Sequence, residues 1–164
     1  MIECMIVALG ILADQLSKLW MAKNFVGMTQ VIVPGALSYS YVENTGAAFG
    51  MLGSSTIVLS AVTGLLAAAL LYVLIHYRRI FSRLSRVALA FMLSGAIGNL
   101  IDRVLRGYVV DFVKFDFVRF AVFNIADICI TMGTIFLILS MIFLEMEKTE
   151  TFKTSGDGQR PENP

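Results

Sequence analysis

Four apolar runs, separated by shorter polar stretches, dominate the hydrophobic pattern of this chain. The second run carries no charge, and the fourth carries only one charged residue, Asp127. A helix of about 20 apolar residues, at a rise of ~1.5 Å per residue, spans the ~30 Å hydrocarbon core of a bilayer. The pattern therefore predicts an all-α integral membrane protein with four transmembrane helices, at about residues 4–23, 56–76, 86–105 and 120–145.

The segment between the first two runs has a different pattern. From Val31 to Val42 it is rich in β-branched residues, alternates in part, and is broken by Pro34 and Gly35. That composition favours short strands and turns over a helix. We therefore predict a small β-like cradle between helices 1 and 2. Small residues follow it, Gly46 among them, and these allow a backbone to approach a ligand closely.

The basic residues predict an orientation. Four arginines lie within residues 76–86, between the second and third runs. Because short loops rich in Lys and Arg remain cytoplasmic, we place this loop and both termini in the cytoplasm and the cradle on the extracytoplasmic side. Lys18 and Lys23 oppose this orientation but are outnumbered. Residues 1–147 then form one membrane domain, and 148–164 form a polar tail that we expect to be disordered.

Composition narrows the class of protein further. Hydrophobic residues make up 57% of the chain, against roughly 45–50% in soluble domains. The net charge is +1 with no basic stripe, so we expect no nucleic-acid partner. Cys4 and Cys129 lack metal-binding or redox spacing, and we expect two buried, inert thiols. The single histidine, His76, has no nucleophile elbow to support a triad.

Several polar residues interrupt the apolar runs toward the extracytoplasmic ends of the predicted helices. A charged side chain at the bilayer centre costs at least ~2.5–3.5 kcal/mol, and such residues usually face a bundle interior and mark functional sites. Asp14 and Lys18 lie one turn apart on one face of the first helix. The remaining members are Asn99, Asp102 and Arg103 on the third helix, Asn124 and Asp127 at the start of the fourth, and Asp111 in the outer loop before it.

Two of these carboxylates, Asp111 and Asp127, are a candidate catalytic pair. Two carboxyl groups that share one proton are the reactive groups of an aspartic protease. Spacing alone leaves structural roles open, because acids also favour helix starts and turns. The other structural alternatives are an Asp14–Lys18 ion pair that lowers the insertion cost, an Asp102–Arg103 pair, and interhelical hydrogen bonds from Asn99 and Asn124.

Five motifs occur together in this chain and in a fixed order. They are Asp14-Gln-Leu-Ser-Lys18, Asn44-Thr-Gly-Ala-Ala-Phe-Gly50, Gly95-Ala-Ile-Gly-Asn-Leu-Ile-Asp-Arg103, Val109-Val-Asp-Phe112 and Phe123-Asn-Ile-Ala-Asp127. In these motifs, and in its four-span layout, the chain resembles the bacterial lipoprotein signal peptidases, the prolipoprotein aspartic peptidases also called signal peptidase II. Where the family often has a second glycine before the third motif, this chain has Ser94, another small residue.

The resemblance implies a membrane aspartic endopeptidase that removes the signal peptide from prolipoproteins by cleaving before a cysteine that already carries a diacylglyceryl group. By motif position, Asp111 and Asp127 match the catalytic pair. The positions that support the site or bind substrate are Asp14, Lys18, Asn44, Gly46, Asn99, Arg103 and Asn124.

The resemblance also implies no metal and no cofactor, and inhibition by globomycin-type cyclic peptides. The implied partners are the lipidated prolipoprotein and membrane lipid. We expect a monomer in the bacterial cytoplasmic (inner) membrane, with the active site at the extracytoplasmic face.

A small proton-coupled membrane transporter is the main alternative, since intramembrane acids near a lysine also form proton relays. Against it, the chain lacks the internal repeat and paired broken helices common in transporters. A non-enzymatic membrane scaffold is the second alternative, and it predicts that replacing both aspartates by asparagine leaves function intact.

Overall fold

The computed structural model describes residues 1–46 and 56–157, with side chains described as far as residue 143. Within these ranges the chain forms four α-helices and a three-stranded antiparallel sheet. In chain order the elements are α1 (Ile2–Asn24), β1 (Thr29–Val33), β2 (Leu37–Asn44), α2 (Thr56–His76), α3 (Arg83–Arg106), β3 (Val109–Phe115) and α4 (Ile125–Asp157).

Three helices of the described residues are long and apolar enough to cross a membrane. They are α2, α3 and the Ile125–Phe143 part of α4, with mean hydropathies of 2.4, 1.6 and 2.2. The first helix, α1, is not among the three, and it carries the charged residues Glu3, Asp14, Lys18 and Lys23. The structure therefore agrees with a mostly helical membrane protein that carries a small sheet.

Helix α3 lies at the centre of the bundle and packs against the other three helices. Small residues make this possible, because they let neighbouring backbones approach closely. A Cβ atom added at Gly95 would lie only 2.2 Å from the carbonyl oxygen of Ala126, and one added at Gly133 would lie 2.6 Å from that of Ala88. Helices α3 and α4 therefore meet backbone to backbone, which leaves side chains further along them free to line a site.

The sheet has the strand order β1-β2-β3, so β2 is its central strand. Strands β1 and β2 lie in the segment for which strands were predicted, whereas β3 lies in the segment predicted to be an outer loop. That prediction was wrong because the valine-rich run after α3 has high β-propensity and finds a partner in β2. Asn44 pairs with Val109, and Val42 with Asp111, so β3 places Asp111 beside the end of β2.

The fourth helix begins at Ile125, later than the predicted residue 120, because Asn124 caps it. The Asn124 side-chain oxygen accepts a hydrogen bond from the backbone N–H of Asp127 (3.0 Å). In return, an Asp127 carboxylate oxygen accepts from the N–H of Asn124 (3.3 Å). This reciprocal arrangement is that of a capping box. It aligns the Asp127 side chain with the start of the helix.

The same helix also continues to Asp157, although we predicted a disordered tail from residue 148. Residues 145–153 are rich in Glu, Lys and Met, which favour helix, and contain no Gly or Pro. Polarity alone therefore did not end the helix here. Residues 158–164 lie outside the described part of the chain.

Candidate active site

Asp111 and Asp127 line the same cavity, although they come from different elements. Asp111 lies in the middle of β3, and Asp127 in the first turn of α4. The cavity has a volume of about 610 Å³, within the ~300–1,000 Å³ typical of ligand sites. Its other lining is mainly apolar, with Leu59 of α2, Ile128 and Met132 of α4, Phe115 at the end of β3, and Phe120 and Phe123 from the segment between β3 and α4.

The Asp111 carboxylate is 3% exposed and accepts a hydrogen bond on each oxygen. The side-chain amide of Asn124 donates to Oδ1 at 2.6 Å, and that of Asn44 donates to Oδ2 at 2.8 Å. The pKa of Asp111 is raised to about 6, first by burial and then by the nearby charge of Asp127, while the two amides act in the opposite direction. Burial dominates, so Asp111 accepts a proton far more readily than an aspartate in water.

The Asp127 carboxylate is fixed by two donors. The side-chain amide of Asn99 donates to Oδ1 at 2.8 Å, and the backbone N–H of Asn124 donates to Oδ2. Asn124 therefore contacts both aspartates, since its Nδ2 donates to Asp111 and its Oδ1 accepts from the backbone of Asp127. A single residue, through its side chain and its backbone N–H, thus contacts both carboxylates.

Beneath this pair, Lys18 is fully buried and uses all three of its N–H donors. Its Nζ lies 2.8 Å from Oδ2 of Asp14 and 2.9 Å from Oδ2 of Asp102. It also donates to Oδ1 of Asn99 at 3.0 Å. Asn99 in turn donates to Asp127, so the buried lysine is linked to the cavity through one amide.

The two acids that hold Lys18 also hold the bundle together. Asp14 accepts from the backbone N–H of Ala126 at 2.9 Å, which ties α1 to the start of α4. Asp102 accepts from the N–H of Val110 at 3.2 Å, which ties α3 to β3. We name Asp14, Lys18 and Asp102 the buried ion cluster.

Asp102 forms its ion pairs with Lys18 and with Arg106, one turn further along α3. The expected pairing with Arg103 was wrong. The i,i+4 spacing of Asp102 and Arg106 is the sequence signal that would have found the second of these pairs. Gln15, which donates to Asp14, to Asp102 and to the carbonyl of Gly98, was also missed.

The remaining predicted site residues lie at the rim of the cavity. Arg103 lines it together with both aspartates, and its positive charge acts on both carboxylates. Gly46 also lines it, and its N–H donates to Oδ1 of Asn44 at 3.2 Å, which orients the amide that contacts Asp111. The rest of that small-residue motif, 47–50, lies outside the described residues.

The two cysteines differ in their exposure to solvent. Cys129 is buried as expected, but Cys4, near the start of α1, is exposed.

Comparison with known proteins identifies relatives that cover most of the chain. The family model described as "Signal peptidase (SPase) II" matches residues 6–143. The lipoprotein signal peptidase of Clostridium acetobutylicum is 40% identical over 150 residues, which cover 89% of this chain and 97% of that protein. That of Symbiobacterium thermophilum is 40% identical over 155 residues, covering 91% and 99%.

Two solved structures, each described as a bacterial membrane enzyme, share the fold with a TM-score of 0.76. One is 27% identical and covers 99% of this chain and 93% of its own. The other is 32% identical and covers 85% and 91%.

Proposed function

The chain belongs to the signal peptidase II family, and we propose that it hydrolyses its substrate with an aspartic dyad formed by Asp111 and Asp127. It is a peptidase that removes the signal peptide from prolipoproteins, as its motifs predicted. The family and its relatives are peptidases, so the transporter alternative is not retained. The dyad rests on the cavity that both aspartates line, and on Asn124, whose side-chain amide donates to the carboxylate of Asp111 and whose backbone N–H donates to that of Asp127.

Amide hydrolysis needs an activated water, a polarised carbonyl and a proton for the leaving nitrogen. Two close carboxylates cannot both ionise cheaply, so they retain one proton between them. The ionised member takes a proton from water, and the protonated member donates to the carbonyl oxygen of the substrate. Because the pKa of Asp111 is raised to about 6, we assign the resident proton of the empty enzyme to Asp111. Asp127 then acts as the base.

Arg103 completes this arrangement. Arg103 lines the cavity that holds both aspartates. A planar guanidinium offers several N–H donors to a carbonyl oxygen that gains charge. We assign to Arg103 the positioning of the substrate carbonyl against the dyad.

The cavity is well suited to a lipidated peptide. Apolar residues of α2, of α4 and of the segment before α4 line it together with the two carboxylates. Acyl chains bury favourably against such a lining, which brings the peptide bond next to the lipidated cysteine to the aspartates. We therefore propose cleavage immediately before a diacylglyceryl-modified cysteine.

The test compares one prolipoprotein with and without its diacylglyceryl group, using the purified protein in lipid nanodiscs. We expect kcat/KM to be at least ~100-fold higher for the lipidated form, because each buried CH₂ adds about 0.8 kcal/mol. Mass spectrometry should show a product that begins with the modified cysteine, and a globomycin-type cyclic peptide should block its formation. Equal rates on the two forms would exclude lipid recognition, and a product with another N-terminus would exclude the proposed bond.

We further propose that α1 is the fourth membrane span. Its polar residues Asp14 and Lys18 are buried, whereas its large apolar side chains are turned outward. An exposed apolar stripe of this length is unfavourable in water but matches the interior of a bilayer. The stripe consists of side chains that are each more than half exposed: Met5, Leu9, Leu12, Leu16 and Leu19.

The arginines that connect α2 to α3 set the proposed orientation, with this loop and both termini in the cytoplasm and the dyad at the extracytoplasmic face. A thiol introduced at Lys23 (Lys23→Cys), in a Cys4→Ser background, should react with a membrane-impermeant maleimide in intact spheroplasts. A thiol introduced at Arg79 (Arg79→Cys) should react only after permeabilisation. The opposite labelling pattern would reverse the orientation.

A further inference from the structure

A second cavity lies between the N-terminal half of α1 and the C-terminal end of α2, at the end of the bundle away from the dyad. Its volume is about 530 Å³. Leu93 of α3, which is 2% exposed, packs at its base against Val7 of α1 and Leu74 of α2. Ala8, Ile11 and Leu71 continue the apolar lining.

The mouth of this groove is basic. Arg86 is held in place, because its Nε lies 2.8 Å from Oε1 of Glu3 and its Nη1 donates to the carbonyl oxygens of Arg78 (3.2 Å) and Phe81 (3.1 Å). The guanidinium groups of Arg78 and Arg79 have no hydrogen-bond or ion-pair partner among the residues whose side chains are described. Arg78, Arg79 and Arg86 also surround an adjoining polar cavity of about 520 Å³.

We propose that this basic-mouthed groove binds one anionic phospholipid from the cytoplasmic leaflet. An acyl chain lies along the apolar lining, and the phosphate is bound by Arg78 and Arg79. The side chains of three arginines and one glutamate give the mouth a charge of +2, and the N-terminal ammonium of Met1, 3.3 Å from Oε2 of Glu3, adds to it. Basic pockets between transmembrane helices on the cytoplasmic side bind anionic headgroups, and the guanidinium fork matches a phosphate in two-point contact. The inference rests on the proposed orientation of the chain.

A signal peptide is the rival occupant, since it is also apolar. Its n-region is positively charged and stays on the cytoplasmic side. In this groove it would meet Arg78 and Arg79, and like charges brought together disfavour binding. The charge of the mouth therefore favours a lipid phosphate over the substrate.

Native mass spectrometry of the full-length protein, released from vesicles of phosphatidylcholine and phosphatidylglycerol, tests this assignment. We expect the wild-type protein to retain phosphatidylglycerol selectively, and the double variant Arg78→Gln/Arg79→Gln to lose this selectivity roughly tenfold or more. Ala8→Phe, which fills the groove, should lower retention without changing the charge. The matched controls are Arg83→Gln and Ala13→Phe, which change an exposed arginine and an exposed alanine outside the groove.

Unchanged selectivity in the double variant would overturn the proposal, as would displacement of the lipid by a synthetic signal peptide. Prolipoprotein cleavage is measured on the same samples. The Asp127→Asn variant should retain the lipid like the wild type, because the groove does not contain the dyad. Failure of the lipid site and failure of the catalytic proposal therefore give different results.

Discussion

Asp111→Asn and Asp127→Asn should each lower kcat/KM for a lipidated prolipoprotein by at least ~10³-fold. An amide neither ionises nor shares a proton, so either replacement removes one of the two proton transfers, and each such transfer contributes about 10²–10⁴-fold. Both carboxylates act on one water and one carbonyl, so the double variant should be no slower than the single ones. The measurement is the rate of product formation in nanodiscs, followed by mass spectrometry.

Asp116→Asn is the matched control. This aspartate follows β3 directly, accepts from Ser38 and pairs with Lys114 at 3.2 Å, but does not line the dyad cavity. It should retain nearly full activity. Thermal unfolding of all variants shows whether they remain folded. More than a tenth of wild-type turnover by folded Asp111→Asn or Asp127→Asn would exclude the dyad.

The same dyad predicts a pH signature. Because the folded-state pKa of Asp111 is raised to about 6, the pair retains its proton below that pH and loses it above. In the free enzyme, kcat/KM should therefore fall as pH rises through about 6. A bound lipidated substrate excludes water and raises the pKa further, so kcat should fall at a higher pH than kcat/KM.

Lys18→Met should destabilise the protein by about 3–5 kcal/mol, since it leaves two buried carboxylates without their shared cation. Asp14 and Asp102 are both fully buried and both lie within 3 Å of the lysine nitrogen. A loss of this size lowers the melting temperature by roughly 10 °C in a chain of this length. Cleavage should fall as well, because Asn99 loses the donor that holds it against Asp127.

Two further variants separate the effect of the lost charge from a general effect of mutation. Lys23→Met removes an exposed lysine near the end of the same helix and should leave the melting temperature unchanged. Lys18→Met/Asp102→Asn also removes one of the two carboxylates that lost their lysine, and should recover part of the free energy of unfolding. Melting within ~2 °C of the wild type for Lys18→Met would show that the buried ion cluster does not stabilise the fold.

The helical layout and the polar residues of the site could be predicted from the sequence, because both appear in the pattern of apolar and polar positions. Asp14, Lys18, Asn99 and Asn124 interrupt apolar runs at similar depth, and the structure brings all four into one hydrogen-bonded network. The assignment of catalytic roles within that network stays a prediction.

Strand β3 could not be predicted from the sequence in the same way. A seven-residue strand gains its stability from its partner, so its run of valines is decisive only once β2 is known to lie beside it. The true partners of Asp102 were hidden for a similar reason, since Lys18 lies 84 residues away in sequence and meets it only when α1 packs on α3. Contacts between distant segments leave no periodic trace in either segment.

Compared with a water-soluble enzyme, the bundle is arranged inside out, with its polar groups at the centre and its large apolar side chains at the periphery. Lipid offers helices little hydrophobic reason to associate, so close backbone packing and polar contacts determine how they assemble. The residues that surround the dyad are then also the ones that specify the tertiary structure. Evolution is left little room to vary them, whereas the exposed apolar positions of α1 and α2 are free to drift among apolar residues. A lineage can therefore diverge widely in sequence while its active centre remains unchanged.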